Sequence, residues 1–144
     1  MIVEYNQVDS VDKEKAIIYA SQKTADIVSA IELLEGNSGG IPVTSDGKTY
    51  LCKPSAIYYV ESVDKRTFIY TKDQCYETKH RLYELEEILS GYFVRCSKAM
   101  IVNLRKIKSV KSDIGGRLET TLLNDEQIII SRSYVKEIKR RLDL

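Results

Sequence analysis

The chain has 144 residues, 43% of them hydrophobic, and a formal net charge of +1. This length supports one compact core, or one domain with a small appendage, and no apolar run reaches the roughly 18 residues that a membrane span requires. The N-terminus lacks a signal-peptide pattern, and three cysteines without a CxxC pair predict neither a disulfide framework nor a cysteine zinc site. We therefore expect a cytoplasmic protein that does not insert into membranes.

Charge is distributed unevenly along the chain. Residues 1–40 hold seven acids and three bases, whereas residues 41–144 hold nineteen bases and fourteen acids. This segregation indicates a basic functional region that follows an acidic N-terminal segment, although a solvated basic surface gives the same composition.

The first 38 residues predict a small β-β-α leader. Residues 1–8 alternate weakly between apolar and polar side chains, and residues 16–21 are apolar and β-prone, so each stretch predicts a strand. Thr24 is a helix-capping residue, and the apolar residues after it recur at helical spacing. The polar, glycine-rich stretch 36–42 predicts the boundary. We expect residues 1–38 to serve oligomerisation or to dock a regulator, and the sequence does not choose between these roles.

Residues 39–144 predict an α+β domain that is mostly antiparallel β. Asp46-Gly47 is a hairpin-type turn, and the stretches KTYLCK, AIYYVES, TFIYT and QCYETK predict strands of a β-meander. Residues 81–91 predict an amphipathic helix with an apolar stripe of leucines, which Gly91 ends.

The C-terminal third predicts further strands and a last helix. YFVRC is strand-like, and SKAMIVNL predicts a short helical turn that begins at Ser97. Gly115-Gly116 and Asn124-Asp125 are each flanked by alternating apolar residues, as in a hairpin. A helix with basic residues in its last turns is predicted from about Ser133.

Catalytic and cofactor-binding patterns are weak in this sequence. His80, the single histidine, is flanked by two cations, and a hydrolytic triad would need it as the proton relay. Cys96 lies between Arg95 and Lys98, which favours a reactive thiolate, but it also fits a small apolar residue at a strand end. The glycines match neither the P-loop nor the dinucleotide pattern. We expect no enzyme activity and no cofactor. A Cys96-dependent enzyme or redox switch remains as an alternative, and thiol alkylation would distinguish it from a function that does not use the thiol.

The basic residues are a stronger indication of function than these patterns. They fall in three places: the Lys65-Arg66 loop, the run from Arg95 to Lys111, and Arg132 with Tyr134 and the helix that follows. The middle run carries six cations and no acid between residues 93 and 112. Lysine and arginine neutralise phosphates, and arginine can pair with guanine through two hydrogen bonds. Charge alone leaves DNA binding and a merely solvated surface equally open.

The order of motifs resembles the LytTR family of bacterial DNA-binding domains. A strand that ends in VES is followed by a basic loop, the FIYT strand, the LYELEEIL helix, FVRCSKAMIVNLRKIKSV and a hairpin that closes on IIISRSY. The most specific piece is F-x-R-C-x-x-x-x-I-V-N, from Phe93 to Asn103. The resemblance covers about residues 41–142. It implies an elongated, mostly antiparallel β-fold with one central helix and a C-terminal helix.

The resemblance also implies where DNA is contacted. In the family, loops enter successive major grooves on one side of a duplex, and three segments supply the contacts. These segments correspond here to the loop from Asp64 to Thr67, the residues after Arg95-Cys96, and the Ser131-Arg132 region. With the charge pattern, they predict the following DNA-binding residues: Lys65, Arg66, Thr67, Ser97, Lys98, Arg105, Arg132, Ser133 and Tyr134.

Two departures from the family pattern affect these expectations. Family members often carry His-Arg-Ser or His-Asn-Ser after the Arg-Cys pair, whereas this chain has Ser97, Lys98 and Ala99, and lysine gives less directional base readout than arginine or asparagine. Some members also place a histidine where this chain has Thr67.

The stretch before the domain, about 40 residues, is shorter than a receiver domain needs. The chain therefore resembles the short, stand-alone members of the family, and we expect no receiver domain in it.

The sequence therefore predicts a cytoplasmic regulator of transcription that binds double-stranded DNA without catalysis. A homodimer on repeated half-sites is expected, because one domain reads only a short site. The alternative is a protein-interaction module, in which the acidic leader docks on a partner and the basic surface is merely solvated.

Overall fold

The computed structural model of the protein describes residues 1–34, 40–89 and 91–144. Within these ranges it contains three α-helices, ten strands and three single 3-10 turns. The helices and strands are, in chain order, α1 (Ala25–Leu34), β1 (Ile41–Ser45), β2 (Lys48–Cys52), β3 (Tyr59–Val63), β4 (Arg66–Tyr70), β5 (Cys75–Thr78), α2 (Leu82–Ile88), β6 (Phe93–Ser97), β7 (Met100–Asn103), β8 (Ile107–Ser112), β9 (Leu118–Leu122), β10 (Gln127–Ile130) and α3 (Arg132–Arg141).

The strands form two antiparallel sheets. The larger sheet has the order β2-β1-β5-β4-β3-β7-β6, and the smaller one has the order β10-β9-β8. Short turns set the register: Asp46-Gly47 joins β1 to β2 and Asp64-Lys65 joins β3 to β4, and all four residues have positive φ angles. Two-residue turns of this handedness match the twist of the strands that they connect. The predicted α+β, mostly antiparallel fold is confirmed.

Two hydrophobic cores lie on opposite faces of the larger sheet's β6–β7 edge. The first core buries α2 against the sheet and includes Leu85 and Ile69, both fully buried. The second core lies between the smaller sheet, α3 and the other face of β6 and β7, and it includes Leu122 and Ile138. Each Å² of apolar surface that is removed from water contributes roughly 25 cal/mol to the free energy of folding. Both cores therefore stabilise the arrangement of the two sheets.

The β6–β7 hairpin therefore has both of its faces buried. Ile101 packs in the first core, whereas its neighbour Val102 packs in the second. Phe93 faces the first core and Cys96 the second. The F-x-R-C and I-V-N pieces are thus explained by two packing requirements that act on one pair of strands.

Asn103, the last residue of the F-x-R-C…I-V-N piece, has a structural role. Its side chain is 1% exposed, and its Nδ2 donates to the Ile57 carbonyl at 2.8 Å. Its Oδ1 accepts from the Arg105 backbone N–H at 2.9 Å. A buried amide without such partners would be destabilising, so both bonds keep the end of β7 in place.

Two predictions of secondary structure are wrong. Residues 1–8 and 16–21 form no strand in the described part of the chain, and most of their side chains are exposed. A β-prone segment needs a partner strand for its backbone groups, and these segments have none in the described residues. The predicted helical turn at Ser97 is instead a tight turn followed by β7, because Ile101 and Val102 alternate between two cores.

The predicted leader helix is confirmed as α1. Thr24 Oγ1 accepts from the Ile27 backbone N–H at 3.4 Å, and Ile27 is the one residue of α1 that is buried in the structure as described. A Cβ built on Gly91 would lie 3.5 Å from an Asp26 carboxylate oxygen, which places α1 beside the start of β6. The boundary predicted between residues 38 and 39 lies outside the described residues. No helix in the described ranges is both long and apolar enough to cross a membrane.

Candidate nucleic-acid interface

The three predicted contact segments lie at one end of the two sheets. The β6–β7 turn, Lys98-Ala99, is tied to β3, because the Ser62 N–H donates to the Ala99 carbonyl at 2.8 Å. Two residues further along β3, the Asp64-Lys65 turn begins. The start of α3 is tied to the same region, since the Ser131 N–H donates to the Cys96 carbonyl at 2.9 Å. We call this region the Lys98 end.

A fourth segment, which sequence reasoning missed, joins the Lys98 end. The β8–β9 turn, Asp113–Arg117, lies beside the start of α3, because Leu118 on β9 pairs with Ile130 on β10. A Cβ built on Gly116 would lie 3.3 Å from the side-chain carbons of Arg132. The Gly115-Gly116 pair did signal the hairpin, but only the strand pairing shows at which end of the sheet its turn lies.

Arg117 is held in this fourth segment by Asp113. The Asp113 carboxylate accepts from the Arg117 backbone N–H at 2.9 Å and from its Nε at 2.8 Å. These contacts lower the pKa of Asp113, the backbone hydrogen bond first. The Arg117 side chain is still 58% exposed, so part of its guanidinium faces solvent.

Besides Arg66, five of the predicted residues are exposed or half-buried at the Lys98 end. Lys65, Lys98, Arg132 and Ser133 are exposed. Ser97 is half-buried, and its Oγ accepts from the Ala99 N–H at 3.2 Å, which shapes the turn. A shallow depression is lined by Arg117, Ser131, Arg132 and Ser133.

Arg66 reaches this end but is already paired. Its Nε and Nη2 donate to the two carboxylate oxygens of Glu77 at 2.9 and 2.6 Å. The hydrogen bond from Arg66 lowers the pKa of Glu77, so the carboxylate stays ionised and competes with any other anion. Arg66 is therefore less available to a phosphate than Lys65 beside it.

Three of the predicted residues do not belong to the exposed surface at the Lys98 end. Thr67 is 3% exposed, so its side chain lies within the sheet and the predicted DNA contact is corrected. Tyr134 packs partly against the second core. Arg105 lies at the far end of the β6–β7 hairpin, where its guanidinium sits 4.1 Å from the centre of the Tyr92 ring. The prediction that Arg105 lies in the same site as Lys98 is therefore also wrong. The charge pattern of the sequence does not show which end of a hairpin a residue reaches.

Cys96 is a core residue in the structure. It is fully buried, and desolvation raises the pKa of its thiol to about 12, although Arg95 acts in the opposite direction. A thiol with this pKa is almost entirely protonated near neutral pH and is a weak nucleophile. His80 precedes α2, and its ring Nδ1 lies 3.5 Å from a carboxylate oxygen of Glu84 in the first turn of that helix. Neither residue forms part of the Lys98 end.

The family of the chain follows from comparison with known proteins. The LytTr DNA-binding domain family matches residues 47–143. The chain belongs to the LytTR family. This family is one of DNA-binding domains and not of enzymes.

Individual relatives agree with this assignment. The sensory transduction protein LytT of Enterococcus faecalis is 31% identical over 108 residues, which are 74% of this chain and 45% of LytT. An uncharacterized HTH-type transcriptional regulator of Staphylococcus aureus (strain NCTC 8325) is 31% identical over 99 residues, which are 69% of this chain and 67% of that regulator. This LytTR chain thus spans less than half the length of LytT.

A solved structure supports the fold. A LytTr DNA-binding domain from Bacillus cereus superimposes with a TM-score of 0.69 at 24% identity, and the match covers 74% of this chain and 98% of that domain. The topology described above is therefore that of a LytTR domain.

Proposed function

We propose that this LytTR protein is a transcription regulator that binds double-stranded DNA sequence-specifically through its Lys98 end. On this proposal the Asp64-Lys65 turn, the Lys98-Ala99 turn and the start of α3 approach successive major grooves on one side of the duplex. The observation that carries the proposal is their grouping: backbone hydrogen bonds at 2.8 and 2.9 Å join all three segments at one end of the sheets.

The charges at the Lys98 end fit a polyanion. Cations outnumber acids there, with Lys65, Arg66, Lys98, Arg117 and Arg132 against Asp64, Glu77 and Asp113. Surplus cations on turns release counterions from a duplex, which makes affinity depend steeply on salt. The depression at the start of α3 is open and shallow, which suits a large ligand surface better than an enclosed small molecule.

Individual residues have different roles in this proposal. Lys65 and Lys98 are exposed point charges at turn tips and would anchor phosphates. Arg132 is exposed at the first position of α3, and its planar guanidinium can bind guanine through two hydrogen bonds in a major groove about 12 Å wide. Ser133 is exposed beside it and can donate to a phosphate or a base. Arg117 would add a phosphate contact from the neighbouring turn.

The leader's position is compatible with a homodimer on repeated half-sites. α1 packs beside Gly91 at the start of β6, which is the end of the hairpin away from Lys98. The leader exposes large apolar side chains that include Ile2, Val3, Ile17 and Tyr19. We expect residues 1–34 to contribute to assembly while the Lys98 end stays accessible to DNA, since exposed apolar side chains in this number mark interaction sites.

Fluorescence anisotropy on two duplexes tests the proposal. The full chain is titrated into the DNA upstream of its own coding sequence and into a random duplex of equal length, at two salt concentrations. We expect tight, salt-sensitive binding with a preference for the upstream duplex. Affinity that ignores salt, or no binding, would contradict the proposal.

The exposed leader also favours a second candidate, a protein-interaction module. On this view the apolar side chains of residues 1–24 dock on a partner protein, and the Lys98 end is solvated surface. Ile17→Glu with Tyr19→Lys separates the two, because these changes abolish docking through the leader but leave Arg132 and Lys98 unaltered. Retained duplex binding by this variant assigns DNA binding to the Lys98 end.

A further inference from the structure

Arg95 is a largely buried cation next to the proposed DNA-binding turn. It lies on β6, and its side chain is 22% exposed. Its Nε is buried and has no hydrogen-bond partner among the described residues. Burying a guanidinium is unfavourable unless its remaining N–H groups make directed contacts, so the partners of its terminal nitrogens indicate its role.

The two terminal nitrogens of Arg95 face two different elements. Nη1 donates to the backbone carbonyl of Lys98 at 2.8 Å, inside the β6–β7 turn. Nη2 lies 3.1 Å from a carboxylate oxygen of Glu86 on α2. One rigid, planar group thus connects the helix to the turn, and we call this arrangement the Arg95 bridge. A lysine in its place would offer one point charge and could not keep both contacts in the same plane.

The irregular pairing of β6 with β7 makes the Lys98-Ala99 turn depend on contacts such as the Arg95 bridge. The register of the β6–β7 ladder shifts between Arg95, which pairs with Ile101, and Ser97, which pairs with Met100. A bulge of this kind interrupts regular pairing and redirects the residues that follow it. Beyond the bulge, the turn is held by Ser97 Oγ, by the Ser62 N–H and by the Arg95 bridge. Of these three ties, the Arg95 bridge is the one that reaches α2.

Arg95 also differs from the cations that we assign to phosphate. Its charge is paired with Glu86 and mostly withdrawn from solvent, whereas Lys98 is exposed and makes no ion pair among the described residues. Removing Arg95 would therefore change the conformation of the turn more than the number of phosphates that the domain neutralises.

We propose that Arg95 is a positioning residue that ties α2 to the Lys98-Ala99 turn and so determines how selectively the turn reads DNA. The proposal rests on the proposed DNA-binding function. Arg95 holds the Lys98 carbonyl, Glu86 orients Arg95, and the turn presents its side chains in one conformation. A fixed turn discriminates between base sequences, because a mobile turn adapts to several of them at similar affinity.

Arg95→Lys tests the bridge, because it keeps the positive charge and removes the planar fork. Anisotropy with the preferred and the random duplex is measured over a salt series. We expect affinity for the preferred duplex to fall about tenfold, close to the value of one good base contact, while binding to the random duplex and the salt slope stay unchanged. Equal losses on both duplexes with a reduced slope would make Arg95 a phosphate contact and overturn the proposal.

Glu86→Gln and Glu87→Gln form a matched pair, since each removes one carboxylate charge from α2. Glu87 is exposed and makes no ion pair in the described part of the structure, so it controls for the general effect of charge. We expect Glu86→Gln to lower selectivity about threefold, because a neutral amide binds the guanidinium more weakly, and Glu87→Gln to leave it unchanged. Identical selectivity in the two variants would overturn the role of Glu86.

Amide hydrogen exchange without DNA keeps this inference separable from the proposed function. In Arg95→Lys we expect the Ala99 N–H to exchange several-fold faster, while the amides of β9 in the second core keep their protection. Unchanged exchange at Ala99 would show that the bridge does not hold the turn. Wild-type protein without any duplex preference would instead refute the proposed function, and the exchange result would still decide whether Arg95 positions the turn.

Discussion

The two ends of the β6–β7 hairpin carry similar charges but present them differently. At the Lys98 end, Lys98 projects from a turn tip into solvent. At the opposite end, the guanidinium of Arg105 lies 4.1 Å from the centre of the Tyr92 ring, and the Lys106 ammonium lies 5.2 Å from that of Tyr58. A cation–π interaction of this kind contributes about 0.5–1 kcal/mol at an exposed site and holds the cation over the ring.

This difference shows that charge alone does not define a DNA-binding surface. The six cations between residues 93 and 112 look like one basic run in the sequence, but the structure separates them. The β6–β7 hairpin has Arg95 and Lys98 towards one end and is followed by Arg105 and Lys106 at the other, and Lys108 and Lys111 lie on β8 in the smaller sheet.

Both ends bring turns of the two sheets together, since at the Arg105 end the Asn124 side chain donates to the Lys72 carbonyl at 3.1 Å. The ends differ in what their cations contact: Arg105 and Lys106 lie over aromatic rings, whereas Lys98 is exposed to solvent. We expect substitutions at that end to change DNA binding and those at the Arg105 end to change stability.

The largest effect is expected for Arg132→Ala. Loss of a guanidinium that reads a base edge should weaken binding to the preferred duplex by about 1–3 kcal/mol, which is roughly 5- to 150-fold. Anisotropy at constant salt measures it, with the random duplex as reference. Arg140→Ala is the control, because Arg140 lies on the same helix, pairs with Glu137 and is remote from the Lys98 end. An equal loss on both duplexes would reduce Arg132 to a phosphate anchor.

At the opposite end, Asn103→Ala should lower the free energy of unfolding by about 1–2 kcal/mol, because it leaves the Ile57 carbonyl without its side-chain donor. Urea unfolding followed by circular dichroism measures the change. Duplex affinity of the folded protein should stay close to that of the wild type. A strong loss of duplex binding without loss of stability would contradict the division between the two ends.

A third comparison uses Lys98→Ala and Arg105→Ala, which each remove one exposed cation. Lys98→Ala should reduce the slope of log affinity against log salt by about one, since it removes one phosphate contact. Arg105→Ala should leave the slope unchanged and lower thermal stability slightly through loss of the contact with Tyr92. Equal slopes for the two variants would show that both ends face DNA.

The smallest effect is expected for Glu77→Gln. The Glu77 carboxylate accepts hydrogen bonds from two nitrogens of the Arg66 guanidinium. The neutral amide of glutamine binds the guanidinium more weakly, so Arg66 becomes available to a phosphate. We expect both duplexes to bind about two- to threefold more tightly, with a slightly steeper salt dependence. Glu119→Gln, which removes an exposed acid on β9 that makes no ion pair in the described residues, is the charge control. A gain of the same size in both variants would leave no role for Arg66.

Much of the fold could be predicted from local patterns. The turns at Asp46-Gly47 and Asn124-Asp125 were correctly placed because their residues favour positive φ angles. The α2 helix was predicted from its leucine stripe. These features depend on neighbouring residues, which the sequence displays directly.

The errors arose where distant residues decide the outcome. β7 follows a period of two because Ile101 and Val102 face separate cores, and neither core is visible in an eight-residue window. Thr67 is buried by strands that lie on both sides of β4, and Arg105 is separated from Lys98 by the length of a hairpin. The Asp113–Arg117 segment was missed for the same reason, since its place beside Arg132 depends on how β9 pairs with β10.

The doubly buried β6–β7 hairpin has a consequence for how target preference can diversify. The buried side chains of its strands pack in two different cores, so their substitution disturbs one core or the other, whereas the Lys98 side chain at the tip is exposed. The hairpin thus combines a packed frame with an exposed tip. Variants in which Lys98 is replaced by each of the other residues, with Ser97, Ala99 and both strands retained, should therefore fold and differ in operator preference, much as antibody loops vary on a constant framework.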